Sequence, residues 1–253
     1  MNPLLPPTVR NIFLDWHGVL CPYDRMRATY RTQLLAILQP LVHLPPDEWE
    51  KIEQHAYEKF LEVYNSAMEK PEDAICYAEI LQSADEIYYF TILSQLNLLS
   101  HFDREPLSSL ARRWEYQIHS SSSCVPPETY RYLFRLRDAN YALFLVTSSS
   151  NAHITGTLKG SGLQDFFQGV FSAESLDAFK VHKKFWQKAF AFSGKSPETC
   201  LVADDTEANL VPPSSFGAFT ALVSPSPSSS NTCFYFPNFS LFAEWLLQKN
   251  IPQ

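Results

Sequence analysis

The sequence predicts an α/β fold in which a parallel-sheet core is interrupted by an all-helical insertion. Two observations carry this prediction. Short apolar runs of strand length, at 11–14, 141–146 and 200–203, each end in a polar cluster and alternate with helix-like segments, the pattern of a buried parallel sheet. Only seven glycines occur in 253 residues and none lies between Gly18 and Gly156. So long a stretch without the commonest turn residue reads as helices punctuated by Pro, Ser and Asp.

The first run, Asn11-Ile12-Phe13-Leu14, delivers Asp15 to the C-terminal end of a strand, and Trp16-His17-Gly18-Val19-Leu20 follows. In open α/β sheets ligands bind along that edge. A carboxylate there serves as a nucleophile or metal ligand beside loop N–H groups that receive an anion, or it merely caps the turn; the decapeptide alone does not choose.

Residues 22–123 form the predicted insertion, leaving 1–21 and 124–253 as the core domain. Helices are expected from about Arg25 to Leu38, after Pro45-Pro46-Asp47 with Asp47 as N-cap, through Ala84 to Leu99, and from Pro106 to Tyr116. Tyr57, Phe60, Tyr64, Tyr77, Tyr88, Tyr89 and Phe90 fall in this stretch; at helical spacing, aromatics are core before they are a binding site. Arg25, Arg27 and Arg31 cluster just after the first strand, facing either solvent or an anionic substrate. Ser120–Ser123 with Cys124-Val125-Pro126-Pro127 reads as the linker back to the core, and Pro127-Glu128 opens a helix.

The second core strand, Tyr141–Val146, runs into Thr147-Ser148-Ser149. A third, Gly169–Ser172, precedes Lys180 and a helix over 183–192. A fourth, Cys200–Ala203, ends in Asp204-Asp205, with Asn209 shortly after. Ala218–Val223 makes a further strand, Ser224–Ser230 a low-complexity loop serving as flexible linker or modification site, and Leu241–Lys249 a terminal amphipathic helix.

A carboxylate, a hydroxyl, a lysine and a carboxylate pair thus follow one another in fixed order. In this the chain resembles the haloacid dehalogenase-like hydrolases with a helical cap inserted between the first and second motifs. The resemblance implies a Rossmann-like core. It makes Asp15 the nucleophile, Thr147 the second-motif hydroxyl, Lys180 the third-motif lysine, and Asp204 and Asp205 the fourth-motif acids. Asp205 would orient Lys180 or complete the outer shell of the metal, and Asn209 would support that loop. Ser148 and Ser149 follow Thr147 as further phosphate contacts, or Ser149 serves only to form the turn. The resemblance also implies Mg²⁺, held by Asp15, Asp204, the backbone carbonyl of His17 and, directly or through an outer shell, Asp205. The activity expected is hydrolysis of a small phosphorylated metabolite through an aspartyl phosphate on Asp15. Lys183 and Lys184 are the competing choices for the lysine.

The chain departs from the family at one position. Phosphatases of this family carry Asp-x-Asp in the first motif, the second aspartate protonating the leaving group and then activating water; here that position is His17. Either the imidazole takes over acid–base work, or it fills space and the chain is a weak or non-catalytic binding protein. A metal-independent hydrolase attacking carbon, as dehalogenases do, is the third possibility.

A net charge of −7 argues against nucleic acid as partner, since that affinity rests on Lys and Arg neutralising phosphates. No apolar run reaches membrane-span length and the N-terminus lacks the regions of a signal peptide. The five cysteines, Cys21, Cys76, Cys124, Cys200 and Cys233, are scattered and odd in number, which predicts reduced thiols and a cytoplasmic protein with neither zinc site nor disulfide. Oligomeric state is not legible.

Overall fold

The computed structural model describes residues 5–70, 76–226 and 234–249. They fall into two compact units: one of residues 1–23, 124–148 and 163–253, and one of residues 24–123 and 149–162.

The first unit is built on a six-stranded parallel sheet. Its strands are β1 (Asn11–Asp15), β2 (Ala142–Thr147), β3 (Gly169–Ser172), β4 (Cys200–Asp204), β5 (Phe219–Val223) and β6 (Phe234–Phe236), in the order β3-β2-β1-β4-β5-β6. β1 is buried throughout, as a central strand covered on both faces must be, and Phe13 stacks on Phe144 at 4.7 Å between ring centroids. β2 lies on one side of β1 and β4 on the other, so the chain order reverses at β1, the arrangement that opens a ligand crevice at the strand C-termini. This unit also holds α5 (Pro127–Asp138), α7 (Ala173–Leu176), α8 (Lys183–Ser193), α9 (Glu207–Ser215) and α10 (Phe239–Gln248).

The second unit is helical: α1 (Tyr23–Leu38, all but its first residue), α2 (Pro46–Met68), α3 (Tyr77–Gln95), α4 (Leu107–Ser120) and α6 (Asn151–Ser161). Its core gathers Leu34, Leu38, Trp49, Tyr88, Tyr89, Ile92 and Trp114, with Tyr57 and Phe60 packed against it. The aromatic stretch is therefore largely core, although Phe90 stays 45% exposed. Two of the three clustered arginines, Arg27 and Arg31, have a third fate, neither solvent nor substrate. Buried Glu53 receives Arg27 at 3.0 Å and Arg31 at 2.8 Å, because a carboxylate withdrawn from water needs charged partners; Arg25 is exposed.

Several local expectations are corrected. Asp47 lies inside the first turn of α2, where Pro45 is the N-cap and makes no side-chain cap; Pro46 fixes the helical φ before Asp47 can cap. α3 ends at Gln95, short of Leu99, because Asn97 turns left-handed at φ 56. α4 continues to Ser120, so the serine run is partly helix. The prolines of α9, Pro212 and Pro213, hid a helix from the sequence reading; both are buried with Leu210. α6, assigned to the core by its position after β2, groups with the second unit.

The cysteines require a further correction: Cys21 and Cys124, 103 positions apart in sequence, are joined as a disulfide with Cα atoms 6.0 Å apart. Cys76 and Cys200 are free. A pairing of such separation leaves no local spacing to read. The loop Ser224–Ser230 lies outside the described residues beyond Ser226, as does Cys233.

Candidate active site

Strand register assembles the site. Asp15 pairs with Val146 and Leu14 with Ala203, so Thr147 and Asp204, one residue further along their strands, arrive at the edge where β1 ends. Thr147 and Asp204 are both fully buried. Ser148 follows Thr147 half-buried, while Ser149 already belongs to the second unit.

Lys180 comes from the segment between α7 and α8 and is 2% exposed. Its ammonium lies 2.8 Å from Asp15 Oδ1 and 2.6 Å from Asp204 Oδ2. Its rivals are elsewhere: Lys183 is exposed and Lys184 reaches Asp177 at 3.4 Å. The indole N–H of Trp186 donates to the Lys180 carbonyl at 2.7 Å, fixing the backbone that carries the lysine. Nothing in the sequence marks Trp186 for this task, since its bond exists only once the segment has folded back on α8.

Each acid is held by its own donors. The Trp16 N–H donates to Asp15 Oδ1 at 2.8 Å. Asp204 Oδ1 accepts from the Thr206 N–H and from Asn209 Nδ2, each at 3.0 Å, the loop support expected of Asn209. Asp205 accepts from the Thr206 hydroxyl at 3.1 Å. It also leans on Gly18, whose φ is +76 and whose missing Cβ would stand 2.0 Å from Asp205 Oδ2. Glycine is required there both for the left-handed turn and for the carboxylate's room. Lysine orientation, expected from Asp205, comes from Asp15 and Asp204.

One oxygen each from Asp15, Asp204 and Asp205 lie within 4.8 Å of one another. Three carboxyls cluster beside one ammonium, and the titration of Asp15, Asp205 and Lys180 reflects the crowding. Burial pushes the Asp15 carboxyl well above its ordinary range; Lys180 pulls it down, and Asp204 and Asp205 push it up again. Asp205 is raised by its own burial and by Asp204. Burial opposes the Lys180 charge, but Asp15 and Asp204 outweigh it and raise the lysine. An all-oxygen donor set carrying surplus negative charge fits a small hard dication.

His17 is half-buried in the turn after β1, bridged to Cys21, and its ring meets that of Tyr23 edge-on at 6.4 Å.

The family model of haloacid dehalogenase-like hydrolases matches residues 9–212. Among curated relatives, the chain is 27% identical over 120 residues to pyrophosphatase PpaX of Bacillus cereus, covering 47% of this chain and 56% of that one. It is 31% identical over 111 residues to pyrimidine 5'-nucleotidase PynA of Streptococcus pneumoniae, covering 43% and 46%. The matched stretch thus spans about half the length of these relatives. Among solved structures, the HAD-hydrolase YfnB of Bacillus subtilis superposes with TM-score 0.66 at 16% identity, over 94% of this chain and 98% of that one. The L-2-haloacid dehalogenase of Xanthobacter autotrophicus superposes with TM-score 0.61 at 15% identity, over 94% and 98%; at such identities the likeness is one of fold. From the ordered motifs, the strand edge that gathers them and the match over residues 9–212, the chain belongs to the haloacid dehalogenase-like hydrolases.

Proposed function

We propose that this hydrolase is a Mg²⁺-dependent phosphatase of a small phosphorylated metabolite, with Asp15 as nucleophile. The observation that carries the reading is the clustering of three carboxyls, two of them paired with one buried lysine, at the sheet edge. Attack on carbon needs no cation, and gives no reason to crowd Asp204 and Asp205 against the nucleophile. Relatives named as a pyrophosphatase and a nucleotidase favour phosphate-bearing substrates over haloacids.

In this reading Asp15 attacks phosphorus in line as the bond to the ester oxygen breaks, the departing alcohol takes a proton from His17, and water then hydrolyses the aspartyl phosphate to free Asp15 and inorganic phosphate. Lys180, Thr147 and Ser148 bind the oxygens of the transferring group, Lys180 neutralising charge that would repel the nucleophile. The Trp16 N–H steadies the attacking carboxylate, and Thr206 and Asn209 hold Asp204 in place. Asp15, Asp204, Asp205 and the His17 carbonyl would hold Mg²⁺, which when bound supplies the positive charge that the phosphoryl group and the carboxylates lack. The His17 imidazole takes the place of the family's acid–base aspartate.

The acidic net charge argues against nucleic acid as the partner, because that affinity rests on neutralising many phosphates. No described helix is long and apolar enough to cross a membrane. The cytoplasmic location belongs to the same proposal.

A metabolite-phosphatase screen with and without Mg²⁺ tests the reading. Wild type is expected to turn over at least one phosphate ester only with Mg²⁺, and folded Asp15→Asn to lose that turnover by more than about a thousandfold. Activity within a few-fold in Asp15→Asn, or turnover indifferent to chelator, rejects it. His17→Ala should slow esters with poor leaving groups most; an unchanged rate removes the imidazole from proton transfer.

A further inference from the structure

We infer that the second unit carries its own divalent transition-metal site, built by Glu115, His119 and His153. None of these residues takes part in the chemistry proposed for Asp15, and all three lie in residues 24–123 and 149–162.

Glu115 and His119 are four residues apart on α4, so they share one helix face. His153 sits in the first turn of α6, where the Ser150 hydroxyl caps the helix by accepting from the His153 N–H at 2.9 Å. The two helices meet almost backbone to backbone. A Cβ on Gly156 would stand 2.8 Å from the Tyr116 carbonyl, and one on Gly160 2.2 Å from that of His119, approaches that only glycine permits. This contact brings the His119 and His153 rings to 3.8 Å between centroids.

One ligating atom from each of the three side chains lies within 4.8 Å of the others. His119 is 6% and His153 8% exposed, so this is no solvated surface cluster. The carboxylate is already oriented: Ser150 Oγ donates to Glu115 Oε2 at 2.6 Å, and Glu115 Oε1 lies 3.2 Å from His153 Nδ1. Such support of a ligating carboxylate is what metal sites use to fix their donors.

The donor set selects the ion. Two imidazoles and a carboxylate suit Zn²⁺, whereas the hard oxygen set at Asp15, Asp204 and Asp205 suits Mg²⁺. In a tetrahedral zinc site with bonds of about 2.0 Å, donors stand roughly 3.3 Å apart, a contraction within reach of small side-chain rotations. Three protein ligands leave the fourth position to water.

The test uses the full chain, stripped with chelator and titrated with Zn²⁺ in excess Mg²⁺. One Zn²⁺ per chain is expected. His119→Gln and His153→Gln should each weaken binding at least tenfold, while Asp15→Asn and Asp204→Asn leave it unchanged. Zinc X-ray absorption of wild type should show two imidazole nitrogens and no sulfur. No tight zinc, sulfur ligation, an absorption spectrum without imidazole scattering, or full affinity in the folded glutamine variants overturns the site and leaves a plain buried Glu–His contact. If either variant fails to fold, the wild-type spectrum decides.

Discussion

Asp15 shows how burial sets what a single carboxyl contributes to stability. Its carboxyl is buried, and burial raises its pKa above the ordinary value of 3.8. A group raised in the folded state favours folding when protonated. That contribution is complete below the unfolded pKa and is lost as pH rises through the raised folded value. At neutral pH the ionised carboxylate therefore costs stability, which the neutral amide of Asn does not. In the presence of chelator, Asp15→Asn is expected to melt a few degrees above wild type at pH 7–8, with about 2–4 °C corresponding to 1 kcal/mol for a chain of this size. The gap should narrow as pH falls through the raised value. Thermal melts across that range check both sign and trend; an Asn variant that melts lower at pH 7 would mean that pairing with Lys180 outweighs burial.

At the scale of elements, α4 and α6 depend on each other through Gly156 and Gly160. Because a Cβ at Gly160 would meet the His119 carbonyl at 2.2 Å and the Ser122 carbonyl at 2.5 Å, the helices must separate or bend to admit even alanine. Backbone does not yield as a flexible side chain does. Gly160→Ala is therefore expected to destabilise the protein by about 2–3 kcal/mol, although alanine is the better helix former. Denaturant unfolding measures this, and a neutral or stabilising substitution would show that the helices pack further apart. In α9, packing likewise overrides propensity: Pro212 and Pro213 each forgo a backbone donor, yet the helix forms because Leu210 and both prolines are buried.

At the scale of the molecule, Cys21 and Cys124 close a loop of 103 residues where the chain leaves the sheet unit and rejoins it. A crosslink over so long a loop removes much of the unfolded chain's freedom, worth about 4–5 kcal/mol in the chain-entropy account. Reduction, or Cys21→Ser, should lower the urea midpoint accordingly. Equal midpoints with and without reductant would show that the two sulfurs are not joined in solution.

The sequence by itself determined five of the six described strands, the helical stretch between the first two of them and the order of the reactive groups. Each is written in contiguous residues: apolar runs that must be buried, polar residues at their ends, and a long stretch without glycine. The order of the reactive groups carried the resemblance to the haloacid dehalogenase-like hydrolases, and the resemblance named Asp15, Thr147, Lys180 and Asp204. Only the tertiary structure decided which groups meet. That Lys180 rather than Lys184 bridges Asp15 and Asp204, that Trp186 holds it, that Glu53 claims Arg27 and Arg31, and that Cys21 finds Cys124 all depend on contacts between distant segments. Local pattern fixes which face of an element is apolar. The partner across that face is set by register, close helix approach and the need of every buried charge for a counter-charge, which exist only once the chain has folded.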